Sequence, residues 1–303
     1  MIVAEGLTKR FGDKTAVDDV SFTVHPGKVT GFLGPNGAGK STTMRMIVGL
    51  DRPTAGTVTV GGGAYRTLRS PLTEVGVLLD AKAVHTGRTA REHLRAMAAT
   101  HGIGRDRVNE VIELTGIGSV AGKRAGKFSL GMGQRLGIAA ALLGDPHTLI
   151  LDEPVNGLDP EGVRWVRQFV RHLASEGRTV LLSSHLMSEM SQTADHVIVL
   201  GRGKVLADAP LAEIVRAWTR ASLVVRSPRL AELAQAVAGP DVVVTPLDPG
   251  AAEITGITAA VVGDLAASLG IPVHELTPRS GSLEDAYLAL TGESVEYKTK
   301  EIA

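Results

Sequence analysis

A glycine-rich loop that ends in lysine and serine is the first stretch of the sequence that could do chemistry. Gly34-x4-Gly39-Lys40-Ser41 follows a short apolar run, Val29–Leu33, and precedes a segment with helical spacing. Such glycines let backbone N–H groups turn inward around phosphates, while the lysine reaches the β- and γ-phosphates and the serine hydroxyl ligates Mg²⁺. The alternative is a chance match, but this motif has its strand before and its helix after. We therefore predict nucleotide binding.

A pair of carboxylates at the end of an apolar strand is the second candidate. The run Leu149–Leu151 leads directly into Asp152 and Glu153. At the C-terminal end of a parallel strand, such residues lie on the ligand-binding edge of the sheet. Asp152 is then able to hold Mg²⁺ through water, and Glu153 is placed to orient and polarise the attacking water. A strand that merely stops at a solvated acidic turn is the alternative, and the phosphate loop upstream argues against it.

Composition narrows the class of protein. The 303 residues carry 32 Lys plus Arg and 32 Asp plus Glu, so the formal net charge is zero. Zero net charge argues against a protein that binds nucleic acid mainly by neutralising its phosphate backbone. The chain also has too few aromatic residues for a surface that stacks the bases of single strands. Cysteine is absent, which excludes disulfides, thiolate metal sites and cysteine nucleophiles. No apolar run reaches the roughly 18 residues of a membrane helix, so we expect a soluble, cytoplasmic chain.

The pattern of elements predicts an α/β protein with two domains. Short strands punctuated by Gly and Pro up to about residue 67 predict antiparallel pairing, and later strands that alternate with helices predict a largely parallel sheet. Helical patterns dominate about 85–145 and predict a helical subdomain. Beyond about residue 217 the order β-α-β-β-α-β suits a small ferredoxin-like sandwich. We expect a nucleotide-binding domain over 1–217 and an accessory or regulatory α/β domain over 218–303.

The order of the motifs resembles the nucleotide-binding subunits of ATP-binding cassette (ABC) transporters over about the first 210 residues. FSLGMGQRL (128–136) is similar to the family's signature LSGGQ-x-QR, and NGLDP (156–160) looks like its D-loop. SSHL presents His185 where the family has its switch histidine. The C-terminal layout, which ends in SLEDAYLALTG, looks like that of antibiotic- and drug-exporter ATPases of the daunorubicin-resistance type. The resemblance implies a P-loop NTPase fold, with a mixed-sheet core plus antiparallel β and helical subdomains.

The resemblance also implies roles for single residues. Lys40, Glu153 and His185 would be catalytic, and His185 would contact the γ-phosphate and link it to Glu153. The residues implied to bind ATP are Phe11, Gly34, Pro35, Asn36, Gly37, Ala38, Gly39, Lys40, Ser41, Thr42, Ser129 and Gly131. Among them Phe11 would stack on adenine, unless it is a plain core residue. Ser129 and Gly131 would bind the γ-phosphate of ATP held by a second subunit. The metal ligands would be Ser41, Asp152 and Asp80.

Two stretches depart from the family pattern. Leu130 and Met132 replace a glycine and a glutamine of the signature. We expect Leu130 to cost backbone freedom and to re-tune function, because a β-carbon disfavours positive φ. VGVLLDA (75–81) aligns with the Q-loop and puts Asp80 where the family has glutamine. A carboxylate is able to ligate Mg²⁺ or its water; alternatively, Asp80 points to solvent and another residue couples to the permease.

Together these features imply an ATP-hydrolysing subunit of an ABC exporter, peripheral on the cytoplasmic face of the membrane. ATP and Mg²⁺ would lie between two copies of the chain, and a separate transmembrane permease would carry a drug, antibiotic or lipid-like compound. One alternative is a soluble ABC ATPase acting on nucleic acid or ribosomes, but a single phosphate loop, no sustained heptads and zero net charge argue against a nucleic-acid partner. A catalytically silent regulatory cassette is disfavoured because Lys40, Asp152, Glu153 and His185 are all present.

Overall fold

The structure, a computed structural model, describes residues 1–219, 221–279 and 281–291. The chain divides into two units: among the described residues the first contains Met1–Leu211 together with Leu290 and Thr291, and the second contains Ala212–Ala289. The part of the predicted second domain beyond residue 291 lies outside the described residues. No helix of the described residues combines the length and the apolar character that a membrane crossing requires.

Nine strands and seven helices build most of the first unit as described. The strands are β1 (Ile2–Phe11), β2 (Lys14–Val24), β3 (Lys28–Leu33), β4 (Ala55–Val60), β5 (Val75–Leu78), β6 (Thr148–Leu151), β7 (Thr179–Ser183), β8 (His196–Gly201) and β9 (Lys204–Pro210). The helices are α1 (Lys40–Ile47), α2 (Pro71–Glu74), α3 (Ala90–Ala99), α4 (Arg105–Leu114), α5 (Leu130–Leu142), α6 (Pro160–Ser175) and α7 (Met187–Thr193).

A six-stranded sheet with the order β5-β6-β7-β3-β8-β9 forms the centre of this unit. All pairs are parallel except β8 with β9. The prediction of a largely parallel sheet is therefore confirmed. Every residue of β6 and β7 is buried, as expected for strands covered on both faces. Since β7 lies between β3 and β6, the ends of all three strands meet at one edge.

A second, three-stranded sheet has the order β2-β1-β4 and is antiparallel, as the sequence predicts. Its apolar side chains join those of β3, α1 and β6 in one core that includes Ile2, Val24, Phe32, Met44 and Ile150. Burying these side chains fixes α1, and the loop before it, against both sheets.

Helices α3, α4 and α5 form the predicted helical region, and each of the three packs against the other two. A reciprocal capping box starts α3, in which Thr89 Oγ1 accepts from the Glu92 backbone and the Glu92 carboxylate accepts from the Thr89 backbone. The C-terminal half of α5 is almost entirely buried, because it packs on β5.

The remaining elements are α8 (Leu211–Trp218), β10 (Ser222–Arg226), α9 (Leu230–Ala236), β11 (Val243–Asp248), β12 (Ala251–Thr255), α10 (Ala259–Ser268), β13 (Glu275–Arg279) and α11 (Leu283–Thr291). Four of them form an antiparallel sheet with the order β11-β12-β10-β13. With α9 and α10 this is the ferredoxin-like arrangement that the element order predicts. Leu223, Leu233, Ile254 and Val262 belong to its own buried core.

Gly76 in β5 sets the distance between the central sheet and α5. A Cβ at this position would lie 2.1 Å from the Ala141 carbonyl oxygen and 2.8 Å from Cγ of Pro146. The first contact is with helix backbone, which has little room to move aside. A glycine is therefore required where β5 and α5 approach, and this approach places the N-terminal end of α5 near the edge of the sheet.

We predict that Gly76→Ala lowers the free energy of unfolding by about 1–3 kcal/mol, the usual cost of overpacking. Urea denaturation followed by circular dichroism measures the change. Gly122→Ala is the matched control, because a Cβ there meets nothing within 4 Å. Equal stability of the two variants would contradict the close approach of β5 and α5.

Candidate active site

The phosphate loop connects β3 to α1 and is shaped by its glycines. Gly37 and Gly39 have φ of 83° and 101°, in the region that favours glycine. A Cβ on Gly39 would also lie 2.6 Å from the Ala16 carbonyl oxygen. Helix α1 begins at Lys40, so the amide groups of its first turn have no intrahelical acceptor and suit an anion.

Lys40 places a buried cation on this loop. Its Nζ donates to the carbonyl oxygens of Gly34 at 2.6 Å and Pro35 at 3.2 Å. Burial lowers the pKa of the Lys40 ammonium, and the negative charges of Glu153 and Asp152 partly oppose that shift. The lysine therefore lies close enough to both carboxylates to interact with them electrostatically.

The hydroxyl of Ser41 and the carboxylate of Asp152 meet across 111 residues of sequence. Ser41 Oγ donates to Asp152 Oδ2 at 2.7 Å. The other carboxylate oxygen, Oδ1, accepts from the hydroxyl of Ser183. Hydroxyl and carboxylate oxygens are the ligand types that Mg²⁺ prefers, so this pair fits a magnesium ion bound together with phosphates.

Glu153 lies directly after Asp152 and is hydrogen-bonded through its carboxylate and through both of its backbone polar groups. Its Oε2 contacts His185 Nδ1 at 2.7 Å. Its backbone N–H donates to Ser183 Oγ at 3.0 Å, and its carbonyl accepts from Gln134 Nε2 at 2.9 Å. The structure thus brings together Lys40, Ser41, Asp152, Glu153 and His185, as a hydrolytic site requires. Sequence reasoning missed two further residues in this group, Ser183 and Gln134.

Asp80 follows β5 and lines the same cavity as Gln134, Asp152, Glu153 and Asn156. The residue is exposed, and its Oδ1 accepts from the Lys82 backbone N–H at 2.8 Å. Asp80 is therefore solvated, and it shares this cavity with the two carboxylates. Its role toward Mg²⁺ stays a prediction.

The structure of the signature-like segment, residues 128–136, contradicts the predicted backbone cost at Leu130. The φ of Leu130 is not positive, so the predicted loss of backbone freedom is wrong. The reason is local: Ser129 is the N-cap of α5 with an extended backbone, and Leu130 already lies in the first helical turn. The Leu130 side chain instead lies over Gly157, where an added Cβ would come 2.4 Å from Leu130 Cδ2. Gly131 packs on the same residue, because a Cβ there would lie 2.8 Å from the Gly157 carbonyl oxygen.

Ser129 and Phe11 are both exposed residues. The Ser129 hydroxyl accepts from the Met132 backbone at 3.3 Å, and the residue is exposed. Phe11 ends β1 with 51% of its surface exposed, and Lys9 Nζ lies 4.9 Å from the ring centroid. The interpretation of Phe11 as a core residue is therefore wrong. Stacking of its ring on adenine stays a prediction.

The phosphate loop follows the buried parallel strand β3, and the two carboxylates follow β6, with β7 lying between these strands. This arrangement defines a P-loop nucleotide hydrolase. The family model described as ABC transporter matches residues 17–156, and a domain of unknown function matches 221–284. The bacitracin transport ATP-binding protein BcrA of Bacillus licheniformis is 42% identical over 213 residues, which cover 69% of this chain and 70% of that protein.

Two further comparisons agree. The lantibiotic transport ATP-binding protein SrtF of Streptococcus pyogenes is 34% identical over 208 residues, covering 69% of this chain and 90% of that protein. A solved ATP-binding subunit of an ABC transporter has a TM-score of 0.66 at 26% identity, covering 72% of this chain and 92% of that one. The chain belongs to the ATP-binding proteins of ABC transporters, and it is an ATPase.

The position of Asp80 leads to a prediction about Mg²⁺. If Asp80 contacts the ion or its water, Asp80→Ala should raise the Mg²⁺ concentration for half-maximal ATPase activity, because one oxygen ligand is lost. Asp80→Gln, which restores the glutamine of the family pattern, should keep much of the activity. Asp106→Ala, at an exposed aspartate in α4, is the control. An unchanged Mg²⁺ dependence in both Asp80 variants would assign Asp80 to a solvated loop.

Proposed function

We propose that this ATPase energises the export of a drug, antibiotic or lipid-like compound through a separate membrane permease. Similarity to bacitracin and lantibiotic transport ATP-binding proteins supports this proposal. The proposed site of ATP hydrolysis is supported by the connected group of hydrogen bonds that joins Ser41, Asp152, Glu153 and His185. The chain would act as a peripheral subunit at the cytoplasmic face of the membrane.

ATP would bind with Mg²⁺ on the phosphate loop. The amides of the first turn of α1 and the ammonium of Lys40 would bind the phosphate oxygens. Ser41 Oγ and Asp152 would hold the ion, directly or through water, with Asp80 as a third oxygen ligand. Bound Mg²⁺ supplies positive charge that offsets the charge developing on the phosphates during transfer.

Glu153 would act on the attacking water. Its carboxylate would accept a hydrogen bond from the water and take up the proton as the oxygen attacks the γ-phosphorus, while the bond from that phosphorus to the β–γ bridging oxygen breaks and ADP leaves. A carboxylate only accepts hydrogen bonds, so Nδ1 of His185 carries the proton in their 2.7 Å contact. That bond fixes the orientation of the Glu153 carboxylate and, as the resemblance implies, links it to the γ-phosphate.

A second copy of the chain would complete the site. Ser129 is the exposed N-cap of α5, and its hydroxyl and its carbonyl accept from backbone N–H groups of the first turn of that helix. The Ser129 hydroxyl accepts from Met132 and keeps its own proton to donate, and a helix N-terminus with such a hydroxyl favours an anion. Ser129 and Gly131 of one subunit would therefore contact the γ-phosphate held by Lys40 of the other.

Glu153→Gln should bind ATP normally and hydrolyse it about 10²–10⁴-fold more slowly, because the amide keeps the shape but cannot accept the proton. Nucleotide that is not hydrolysed should keep two subunits together, visible as an ATP-dependent dimer in size-exclusion chromatography. Glu213→Gln, at an exposed glutamate in α8, should hydrolyse ATP like the unaltered chain. Normal turnover of Glu153→Gln would remove Glu153 from its assigned role.

Export has its own test. An affinity-tagged chain should co-purify from membranes with a protein that has several apolar spans. Removing the chain from its host should raise sensitivity to the exported compound, and the unaltered chain should restore resistance while Glu153→Gln should not. Recovery of ribosomes or nucleic acid in place of a membrane protein would contradict the exporter function and favour the alternative.

A further inference from the structure

Glu153 has a backbone conformation that its residue type disfavours. Its φ is 50°, and it is one of few non-glycine residues with positive φ among those described. In this region the β-carbon crowds the backbone, at a cost of about 1 kcal/mol or more. Such a conformation persists only where neighbouring groups hold it. The Glu153 N–H donates to the Ser183 hydroxyl, and its C=O accepts both from the Gln134 side chain and from the Asn156 backbone N–H at 3.1 Å.

Ser183 holds the N–H side. It is the last residue of β7 and is fully buried. Leu151 pairs with Leu182 across β6 and β7, so Ser183 comes next to Asp152 and Glu153. Its hydroxyl donates to Asp152 Oδ1 and accepts from the Glu153 N–H. Since a carboxylate only accepts and an N–H only donates, the hydroxyl has a single orientation that satisfies both.

Gln134 holds the C=O side. It lies in α5, is 5% exposed, and donates from Nε2 to the Glu153 carbonyl at 2.9 Å. Its Oε1 has no hydrogen-bond partner among the described residues, although the residue lines the cavity that contains Asp80 and Glu153. The amide is therefore bonded to Glu153 through Nε2, while its Oε1 is buried and unpaired among the described residues.

We propose that Ser183 and Gln134 are positioning residues that together hold Glu153 in its left-handed conformation and so direct its carboxylate at the attacking water. The inference rests on the proposed role of Glu153 as the general base. Without either bond, the backbone of Glu153 gains by returning to negative φ, and the carboxylate moves with it. A misplacement of about 1 Å at a catalytic group is able to cost about 10²-fold in rate.

The two positioning residues differ in one further contact, and this difference is testable. Ser183 also donates to Asp152, whose other oxygen bonds Ser41. Among the described residues, the Gln134 side chain forms its hydrogen bond with Glu153 and none with Asp152 or the phosphate loop. Loss of Ser183 should therefore raise the Mg²⁺ requirement as well as lower turnover, whereas loss of Gln134 should lower turnover alone.

The experiment uses the full chain with Ser183→Ala, Gln134→Met and the double variant. Thr179→Val is the control, because it removes a buried hydroxyl at the opposite end of the same strand, which accepts from the Met1 amino group. Each single variant should lose about 10–100-fold in kcat, with the KM for ATP and the affinity for a fluorescent ATP analogue unchanged within about twofold. The double variant should be close to the slower single one, because the two residues act on one group. Thr179→Val should retain full turnover.

A kcat within about twofold of the unaltered chain for both single variants would overturn the proposal. So would a loss that appears equally in Thr179→Val and follows the melting temperature, since that is the signature of a structural role. Glu153→Gln, measured beside them, separates the two levels of inference. If Glu153→Gln turns over normally, the general-base role itself fails. If it is inactive while Ser183→Ala and Gln134→Met are active, only the positioning role fails.

Discussion

The site depends on the parallel pairing of β7 between β3 and β6. Carboxyl ends of parallel strands lie at one edge of a sheet, so this pairing brings the phosphate loop, the carboxylates and His185 together from three distant parts of the sequence. The pairing is held by apolar side chains that are buried on both faces, including Ile150 and Leu181. At the edge the last residue of β7 is polar, and the hydroxyl of Ser183 bonds the carboxylate strand. The apolar pairing fixes where the strands end, and the polar bonds fix how the side chains point.

Motifs whose chemistry is local could be predicted from the sequence. The phosphate loop requires only a buried strand, glycines and a helix, and all three are consecutive in the chain. The carboxylates at the end of β6 and the helical region were predicted for the same reason. In the second unit, the alternation of strands and helices was sufficient to predict the ferredoxin-like order of β10–β13. These features rest on short-range patterns of apolar residues and turns.

Features that depend on packing between distant elements could not be predicted. Ser183 contacts Glu153 through the register of β7 against β6, and Gln134 does so through the position of α5. Gln134 stands in the signature-like segment, but that resemblance does not imply a contact with Glu153. For Leu130, the sequence predicted an effect that the structure does not show. Its effect was predicted from a family pattern in which glycine stands there, but in this chain the N-cap at Ser129 puts Leu130 in the first turn of a helix. Its side chain occupies space left by Gly157, so the substitution is accommodated by the neighbouring loop.

The central claim is that the bonds around Asp152 and Glu153 hold a carboxylate ready for water at a phosphate loop. A crystal structure of the purified chain with Mg²⁺ and a non-hydrolysable ATP analogue tests it most directly. We expect the γ-phosphate within hydrogen-bond distance of Lys40 Nζ, the metal beside Ser41 and Asp152, and Glu153 still at positive φ with its bonds to Ser183 and Gln134 intact. A nucleotide bound elsewhere, or a Glu153 that has moved to negative φ with those bonds broken, would contradict the account.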